Sequence, residues 1–290
     1  MNLGFIGFGE AAYELSSGLK QAGMEKIKAY DAQHEHSVYG ELIKDRVKKA
    51  KVELLDSPEE LLKFSNIIIV AVPANKTYEV HESIKKYLKK DTIYVDLTAS
   101  NPSIKQKISE SLEEKGVKFI DAAIMGPVVV YGHKVPILVS GKCSDTLKKY
   151  LNNFGMNITE VSKIPGNASA IKLIRSIYMK GISAILVEML EAANRFEVEE
   201  LVIHSIGETL DSKSFEETMN RLVTGTAIHA ERRSKELDGT IEMLTTYNLN
   251  STMSKAAKEK LETIAKTDIK ENFKGKKPDS WIEVITSLTK

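Results

Sequence analysis

The sequence predicts a doubly wound α/β domain on a mainly parallel sheet, followed by an all-α domain. Over the first 160 residues, short apolar runs alternate with amphipathic stretches, a pattern typical of βαβ units. The run Ile67–Val72 is apolar on both faces, as expected for a central strand covered by helices on each side. After Pro165-Gly166 the apolar residues recur with helical spacing and predict no strand. We therefore expect domains at residues 1–161 and 166–290.

The predicted elements of the first domain follow from this alternation. Strands are expected at Leu3–Ile6, Ile27–Tyr30, Val52–Leu55, Asn66–Val72, Thr92–Asp96, Val117–Asp121 and Pro136–Ser140. Helices are expected at Ala11–Gln21, Tyr39–Ala50, Pro58–Phe64, Thr77–Lys89, Pro102–Lys115 and Asp145–Asn153. Right-handed crossovers between parallel strands are then expected.

The second domain begins with a long apolar segment, Ala168–Ala193, which as a helix would measure roughly 39 Å. Shorter helices are predicted at Glu199–Ile206, Phe215–Thr224, Thr226–Lys235, Thr240–Tyr247, Asn250–Lys266 and Ser280–Leu288. The lysine-rich stretch between the last two is predicted to be a solvated loop.

Composition narrows the possible functions. The chain has 290 residues, 42% of them hydrophobic, and its 41 basic and 40 acidic residues nearly cancel. This balance gives no support for nucleic-acid or membrane-surface binding. The single cysteine, Cys143, permits no intrachain disulfide. With neither a signal peptide nor a spanning segment predicted, we expect a cytoplasmic protein.

The segment Gly7–Ala12 matches the dinucleotide fingerprint G-x-G-x-x-G/A. It follows the first strand directly and opens a helix, which is the context of a Rossmann fold. Gly7 permits the tight turn, Gly9 lets backbone approach a pyrophosphate, and Ala12 allows close packing. We therefore expect cofactor contacts from Gly7, Phe8, Gly9, Glu10 and Ala11, with phosphates at the helix N-terminus. A glycine turn without a ligand would have the same pattern.

Asp31 ends the second strand and indicates which dinucleotide binds. A carboxylate there accepts hydrogen bonds from the adenosine ribose hydroxyls and repels a 2′-phosphate. Ala32 and Gln33 supply no cation, although His34 and His36 would if protonated. We expect NAD in preference to NADP. A carboxylate that only initiates the turn is the alternative.

Lys172 is the candidate for proton transfer. It lies among isoleucines and leucines on the long helix, where lysine is uncommon, and shares a face with Arg175, Ser176 and Met179. A desolvated amine can take the proton of a hydroxyl as the alcohol is oxidised. Arg175 is placed to hold a substrate carboxylate. A surface stripe on a partly buried helix would explain the same spacing.

The chain resembles the β-hydroxyacid dehydrogenase family, which includes 3-hydroxyisobutyrate and 6-phosphogluconate dehydrogenases. Besides the glycine turn, four segments carry the resemblance: Ala71-Val72-Pro73, Asp96–Pro102, Asp121–Pro127 and Gly166–Lys172. The resemblance implies that Val72, Pro73 and Thr98 lie at the nicotinamide. It also implies substrate contacts from Thr98, Met125, Gly126, Pro127, Arg175 and Ser176, with Lys172 catalytic. A homodimer built by the helical domain is implied as well, and substrate is expected between the two domains.

Several residues depart from the family pattern. Met125 stands where a serine is expected, Pro127 where a glycine is, and Ser176 where an asparagine orients substrate. The sequence is similar to a less-characterised branch with a short helical domain. We expect hydride transfer between nicotinamide and a small hydroxy acid or sugar-derived acid. A semialdehyde or imine reductase using the same cleft and a non-catalytic NAD(H)-binding sensor are the alternatives.

One helix face in the second domain carries His229, Arg232, Arg233 and Glu236. It fits either the mouth of an active site, including that of a neighbouring subunit, or a solvated salt-bridged surface. The scattered histidines and the lone cysteine predict no metal site.

Overall fold

A single eight-stranded sheet organises the N-terminal part of the chain. In the computed structural model, which describes residues 1–289, its strands are β1 (Leu3–Ile6), β2 (Ile27–Tyr30), β3 (Glu53–Leu54), β4 (Ile67–Val70), β5 (Ile93–Asp96), β6 (Lys118–Ile124), β7 (Pro136–Ser140) and β8 (Asn157–Ser162). Their order is β3-β2-β1-β4-β5-β6-β7-β8. Every neighbouring pair is parallel except β6 and β7, which run antiparallel. The expected doubly wound, mainly parallel Rossmann sheet is confirmed.

The sheet is covered on both faces by helices. They are α1 (Glu10–Gln21), α2 (Gly40–Ala50), α3 (Pro58–Phe64), α4 (Thr77–Ile84), α5 (Pro102–Glu113), α6 (Val128–Tyr131) and α7 (Ser144–Asn152). Ile67 and Ile69 of β4 belong to one hydrophobic cluster, whereas Ile68 and Val70 belong to the cluster on the opposite face. This alternation explains why the central strand is apolar throughout.

Strands β3, β4 and β5 are shorter than predicted, and two further strands differ from the sequence-based expectation. β6 continues three residues beyond Asp121, to Ile124, and β8 was not predicted at all. β8 lies at the sheet edge, pairs only with β7, and exposes Asn157, Thr159 and Val161. An edge strand with one solvated face lacks the continuous apolar run of a central strand, so its sequence is a weak signal.

Helix α8 (Asn167–Arg195) is 29 residues long and begins immediately after Gly166, close to the predicted start. The chain divides into two compact units at Ile177/Tyr178, within this helix. The sequence placed the division at residues 161–166 instead. The first turns of α8 belong to the sheet unit because Ala168 and Ser169 are buried and bonded to strand residues.

The second unit, from Tyr178 onward, contains helices and connecting turns but no strand among its described residues. After α8 it contains α9 (Glu199–Asp211), α10 (Phe215–Thr246), α11 (Thr252–Ala265), α12 (Ile269–Asn272) and α13 (Trp281–Leu288). The prediction of three separate helices across residues 215–247 was wrong, because α10 runs through Gly225 and Gly239. Its single break is His229, with non-helical φ −116° and ψ 15°.

Arg233 stabilises the bend in α10. Its guanidinium donates to the Leu222 carbonyl at 3.2 Å and to the Thr226 hydroxyl at 2.6 Å, both on the other side of the break. A Cβ on Gly225 would lie 2.8 Å from Nη2 of Arg233, so this glycine leaves room for the guanidinium. Among the described residues, no helix has the length and apolar character needed to cross a membrane.

Candidate functional site: the carboxyl edge of the sheet

The turn after β1 has the geometry that the glycine fingerprint predicts. Gly7 has φ +84°, and a Cβ there would lie 2.5 Å from the Ala71 carbonyl oxygen, so only glycine fits. A Cβ on Gly9 would meet no atom within 4 Å, which leaves open space in front of the turn. Ala12 is fully buried beneath it. The turn and the uncapped start of α1 therefore fit the pyrophosphate of a dinucleotide.

Asp31 lies beside this turn. Its Oδ2 accepts a hydrogen bond from the Phe8 N–H at 2.6 Å, and its Oδ1 accepts from the Gln33 N–H at 2.8 Å. The carboxylate is therefore fixed at the end of β2, next to the glycine turn, where the ribose position is expected. His34 is one of the two histidines that the sequence analysis considered as cations. Its Nδ1 lies 2.7 Å from the Asp31 carbonyl oxygen.

Residues following β4 and β5 lie at the same edge of the sheet, because the carboxyl ends of parallel strands coincide. Val72 is half-buried and Pro73 is exposed. Thr98 is buried, with its hydroxyl 2.8 Å from that of Thr77 and 3.2 Å from that of Ser100. The Thr98 hydroxyl thus belongs to a buried network at the edge, a contact that the sequence did not reveal.

The loop after β6 contains Met125, Gly126 and Pro127 and leads into α6. The Met125 N–H donates to the Pro136 carbonyl, which ties the loop to β7. Three residues of α6 are well exposed: Val129, Val130 and Tyr131. Helix α6 packs against α1, the helix that begins directly after the glycine turn. This apolar surface therefore lies on the same face of the sheet as α1.

The first turns of α8 carry the remaining predicted site residues. Lys172 and Ser176 are half-buried, and Arg175 is exposed. One turn before Lys172, the N–H and hydroxyl of Ser169 donate to the Asp121 carboxylate at 2.9 and 2.6 Å. Asp121 lies in β6, so the helix turn before Lys172 is hydrogen-bonded directly to the sheet.

A buried charged cluster supports this anchor and was missed by sequence reasoning. Asp96 and Asp121 are register partners on β5 and β6, and both are fully buried. Between them, Nζ of the fully buried Lys105 lies 2.9 Å from Asp96 and 3.3 Å from Asp121. The available signal was an aspartate at the end of each of two successive predicted strands, since a pair of carboxylates requires a cation when buried.

The second unit holds the face predicted around His229. Arg232 forms an exposed ion pair with Glu236 at 2.6 Å, which fits the solvated-surface interpretation of these two residues. Arg233 bonds within α10 as described above, and His229 is exposed at the break. Among the described residues, no group of three or more His, Cys, Asp or Glu side chains is arranged to hold a metal ion.

Fold and turn together define an NAD-binding Rossmann protein. A family model described as the NAD-binding domain of 6-phosphogluconate dehydrogenase matches residues 2–162, more than half of the chain. A second, described as a domain of unknown function (DUF1932), matches residues 193–264. The chain belongs to the β-hydroxyacid dehydrogenase family, as its sequence motifs had indicated.

Three individual proteins are similar to this chain. An uncharacterised 28.5 kDa protein of Methanothermus fervidus is 33% identical over 264 residues, covering 91% of this chain and 99% of that protein. The mitochondrial 3-hydroxyisobutyrate dehydrogenase of Drosophila melanogaster is 25% identical over 76% of this chain, which spans 63% of that enzyme's length. An imine reductase from Myxococcus stipitatus, solved with NAD⁺, superposes with a TM-score of 0.73 at 17% identity, covering 100% and 99% of the two chains. At this identity the superposition shows the shared fold alone.

Proposed function

We propose that the chain is an NAD-dependent dehydrogenase of small hydroxy acids or sugar-derived acids, with Lys172 as the general acid and base. The observation that carries this proposal is the anchoring of Lys172. The helix turn that precedes it is bonded to Asp121 of β6, in the same unit as the glycine turn. An amine on a fixed turn at an NAD-binding sheet is suited to proton transfer with a substrate hydroxyl.

Each residue has a separate task in this scheme. A bound nicotinamide dinucleotide supplies the hydride chemistry. The Lys172 amine takes the hydroxyl proton during oxidation, and its ammonium returns the proton during reduction. Arg175, exposed one turn further on, holds the substrate carboxylate by paired hydrogen bonds. Ser176 offers a hydroxyl beside Lys172, where the family pattern has an asparagine amide.

We infer a preference for NAD over NADP from Asp31. Its carboxylate is held beside the glycine turn by the Phe8 and Gln33 N–H groups. A fixed negative charge there accepts hydrogen bonds from ribose hydroxyls and repels a 2′-phosphate. The single cysteine, Cys143, supports a reducing, cytoplasmic setting for the reaction.

Measuring turnover of the Lys172→Ala variant tests the main proposal. NAD reduction is screened over 2- and 3-hydroxy acids and aldonates, with Lys148→Ala, which removes a half-buried lysine of α7, as the control. We expect Lys172→Ala to lower kcat by at least about 100-fold, the contribution of general acid–base catalysis. The affinity for NADH is expected to stay near that of wild type, since Lys172 is not among the residues expected to contact the dinucleotide. Turnover within a few-fold of wild type would remove Lys172 from the mechanism.

A reductase for semialdehydes or imines is the second candidate function. It is favoured by the apolar character of the substrate-side loop, where Met125 and Pro127 replace the family's serine and glycine and are followed by exposed Val129, Val130 and Tyr131. Such a surface offers few donors to a carboxylate and suits an apolar substrate. NADH oxidation with semialdehydes and cyclic imines separates the two candidates. NADH binding without turnover on either panel would indicate the non-catalytic sensor.

We also propose that the chain forms a homodimer through its helical unit. The hydrophobic cluster of that unit contains only Ala227, Ile269 and Val284 as buried members among the described residues. Large apolar side chains on α8 and α9 are exposed, including Val187 at 58%, Leu201 at 72% and Ile203 at 54%. A cavity of about 440 Å³ with an almost entirely apolar lining also lies among α8, α9, α10 and α11.

A second copy is the occupant that this surface fits. Helices α8 and α9 carry exposed apolar side chains and also border the apolar cavity. The exposed side chains of one copy can therefore pack against the cavity of the other, as a two-fold interface requires. Sedimentation of the intact chain tests the proposal, and the combined Leu201→Glu and Ile203→Glu variant should shift it toward monomer. A wild-type monomer at micromolar concentration, or a partner other than this chain, would contradict it.

A further inference from the structure

We infer that Asp121 and Ser169 form a clamp that positions Lys172, and that Lys105 holds this clamp in place. This inference rests on the proposed function, because it assigns positioning residues to the proposed acid and base. None of these three side chains was predicted to act in the site. All three are buried in the sheet unit, with exposures of 0% for Lys105 and Asp121 and 1% for Ser169.

The clamp caps α8 from outside the helix. The Asp121 Oδ2 accepts from the Ser169 N–H, and Oδ1 accepts from the Ser169 hydroxyl. The Ser140 hydroxyl accepts from the Ala168 N–H and donates to Asp121 Oδ2, both at 3.1 Å. The first N–H groups of a helix have no partner within the helix. Here strand residues supply those partners, so β6 and β7 fix where α8 starts and how it is oriented.

Lys105 connects the clamp to the end of β5. Its Nζ donates to the carbonyl oxygens of Asp96 and Thr98 at 3.0 and 2.9 Å, besides pairing with both carboxylates. The same ammonium therefore joins the strand end that carries Thr98 to the carboxylate that holds Ser169. A single buried group thus couples the expected nicotinamide side of the edge to the turn before Lys172.

Other groups facing the buried Asp96 do not offer a positive charge. Burial lowers the pKa of His81 and raises the pKa of the Tyr94 phenol, with the Asp96 charge adding to the rise at Tyr94, so both are neutral at pH 7. Asp96 Oδ2 has no hydrogen-bond partner in the structure. Lys105 is therefore the cation on which the two buried carboxylates depend.

Geometry explains why the clamp matters for Lys172. Ser169 and Lys172 are three residues apart and lie on neighbouring turns of one helix face. Gly166, with φ +97°, precedes the helix, and a Cβ there would lie 2.9 Å from the Pro102 carbonyl oxygen, so only glycine fits this turn. Without the Ser169 hydroxyl bond, the first turn keeps the Ala168 and Ser169 N–H bonds and the bond from the Asn167 side-chain amide to the Ser162 hydroxyl, but it loses the one hydroxyl donor to Asp121 on this helix. A misplacement of about 1 Å at a reacting group can reduce turnover about 100-fold.

The test compares Ser169→Ala, Ser169→Thr and Ser183→Ala, together with Lys172→Ala. Ser183 is the matched control, because its hydroxyl, on the same helix, bonds only to the Met179 carbonyl at 2.8 Å. We expect Ser169→Ala to lower kcat by about tenfold or more while KM and the Kd for NADH stay near wild type. Ser169→Thr retains the hydroxyl and should restore kcat, and Ser183→Ala should match wild type.

The outcomes separate this inference from the proposed function. If Lys172→Ala is inactive but Ser169→Ala keeps kcat within twofold, the clamp is overturned and the proposed function stands. An equal loss in Ser169→Ala and Ser183→Ala also overturns the clamp. If Lys172→Ala remains active, both fall. If circular dichroism shows that Ser169→Thr does not fold, Ser169→Ala alone tests the clamp. A lower kcat at unchanged KM then supports the clamp, and an unchanged kcat overturns it.

Discussion

Replacing Lys105 by methionine tests the two buried ion pairs of the sheet unit. Methionine keeps an unbranched side chain of similar length and removes only the charge and its donors. Four acceptors lose the ammonium: one carboxylate oxygen each of Asp96 and Asp121, and the carbonyl oxygens of Asp96 and Thr98. The two carboxylate oxygens keep one neutral donor each, the Thr98 N–H on Asp96 and the Ser169 hydroxyl on Asp121, but no positive charge. All of these residues are buried, so water cannot replace the lost bonds without opening the fold.

The expected cost follows from the partners that remain. Removing one member of a buried ion pair costs about 3–5 kcal/mol, because the other charge stays buried without compensation. Here two carboxylates are left facing each other on adjacent strands, which places the value at the upper end, about 5 kcal/mol. That is a large share of the stability of an ordinary domain, about 5–15 kcal/mol.

Urea unfolding followed by far-UV circular dichroism measures this loss. Lys118→Met is the matched control, because Lys118 pairs with Asp91 at 3.2 Å while both side chains are well exposed. Exposed pairs contribute about 0–1 kcal/mol, so the control should unfold almost as wild type does. If Lys105→Met lost less than about 1 kcal/mol, the two carboxylates would not depend on this ammonium, and the reasoning about the buried cluster would be wrong.

Two further predictions concern Asp31 and Glu188. Asp31→Ala should weaken NADH binding about 10–100-fold, the equivalent of about 1.5–3 kcal/mol for bonds to a charged acceptor. It should also bring the affinities for NADH and NADPH closer, and fluorescence titration measures both affinities. An unchanged ratio of the two affinities would show that Asp31 does not contact the ribose. Glu188 caps α11 through the Met253 and Ser254 N–H groups. Burial acts to raise the pKa of Glu188, but the Ser254 hydroxyl and these N–H groups lower it below 4.5 overall. Its contribution is therefore complete above pH 4.5 and declines as pH falls through the lower folded-state value. Glu188→Gln should then destabilise the helical unit at pH 7 and progressively less below pH 4.5, as urea unfolding across pH would show; a loss independent of pH would contradict this.

Local sequence patterns predicted most elements of the sheet unit. β1, β2 and β7 have the predicted bounds, and α3 does as well. These segments carry strong periodicity or clear end signals, such as Ser57 capping α3 before Pro58. The Gly7 turn also has the predicted conformation, because a steric requirement for glycine can be recognised without knowledge of distant residues.

Predictions were wrong where a distant contact outweighed the local signal. The predicted helices Phe215–Thr224, Thr226–Lys235 and Thr240–Tyr247 left Gly225 and Gly239 outside, and glycine in a helix interior does cost about 1 kcal/mol. Yet α10 continues through both, and Gly225 accommodates the guanidinium of Arg233. Only the folded chain shows that the glycine has a partner eight residues away.

The sequence by itself determined the fold class, the dinucleotide turn and the position of Lys172 on a long helix, because each follows from periodicity or from the conformational needs of single residues. Only the tertiary structure decided how that helix is held. Asp121 and Ser169 are 48 residues apart along the chain, and both become neighbours of Asp96 and Lys105 when β5 pairs with β6 and α8 starts against them. Burial of charge gives these contacts their strength, and burial is a property of the assembled sheet rather than of any one segment.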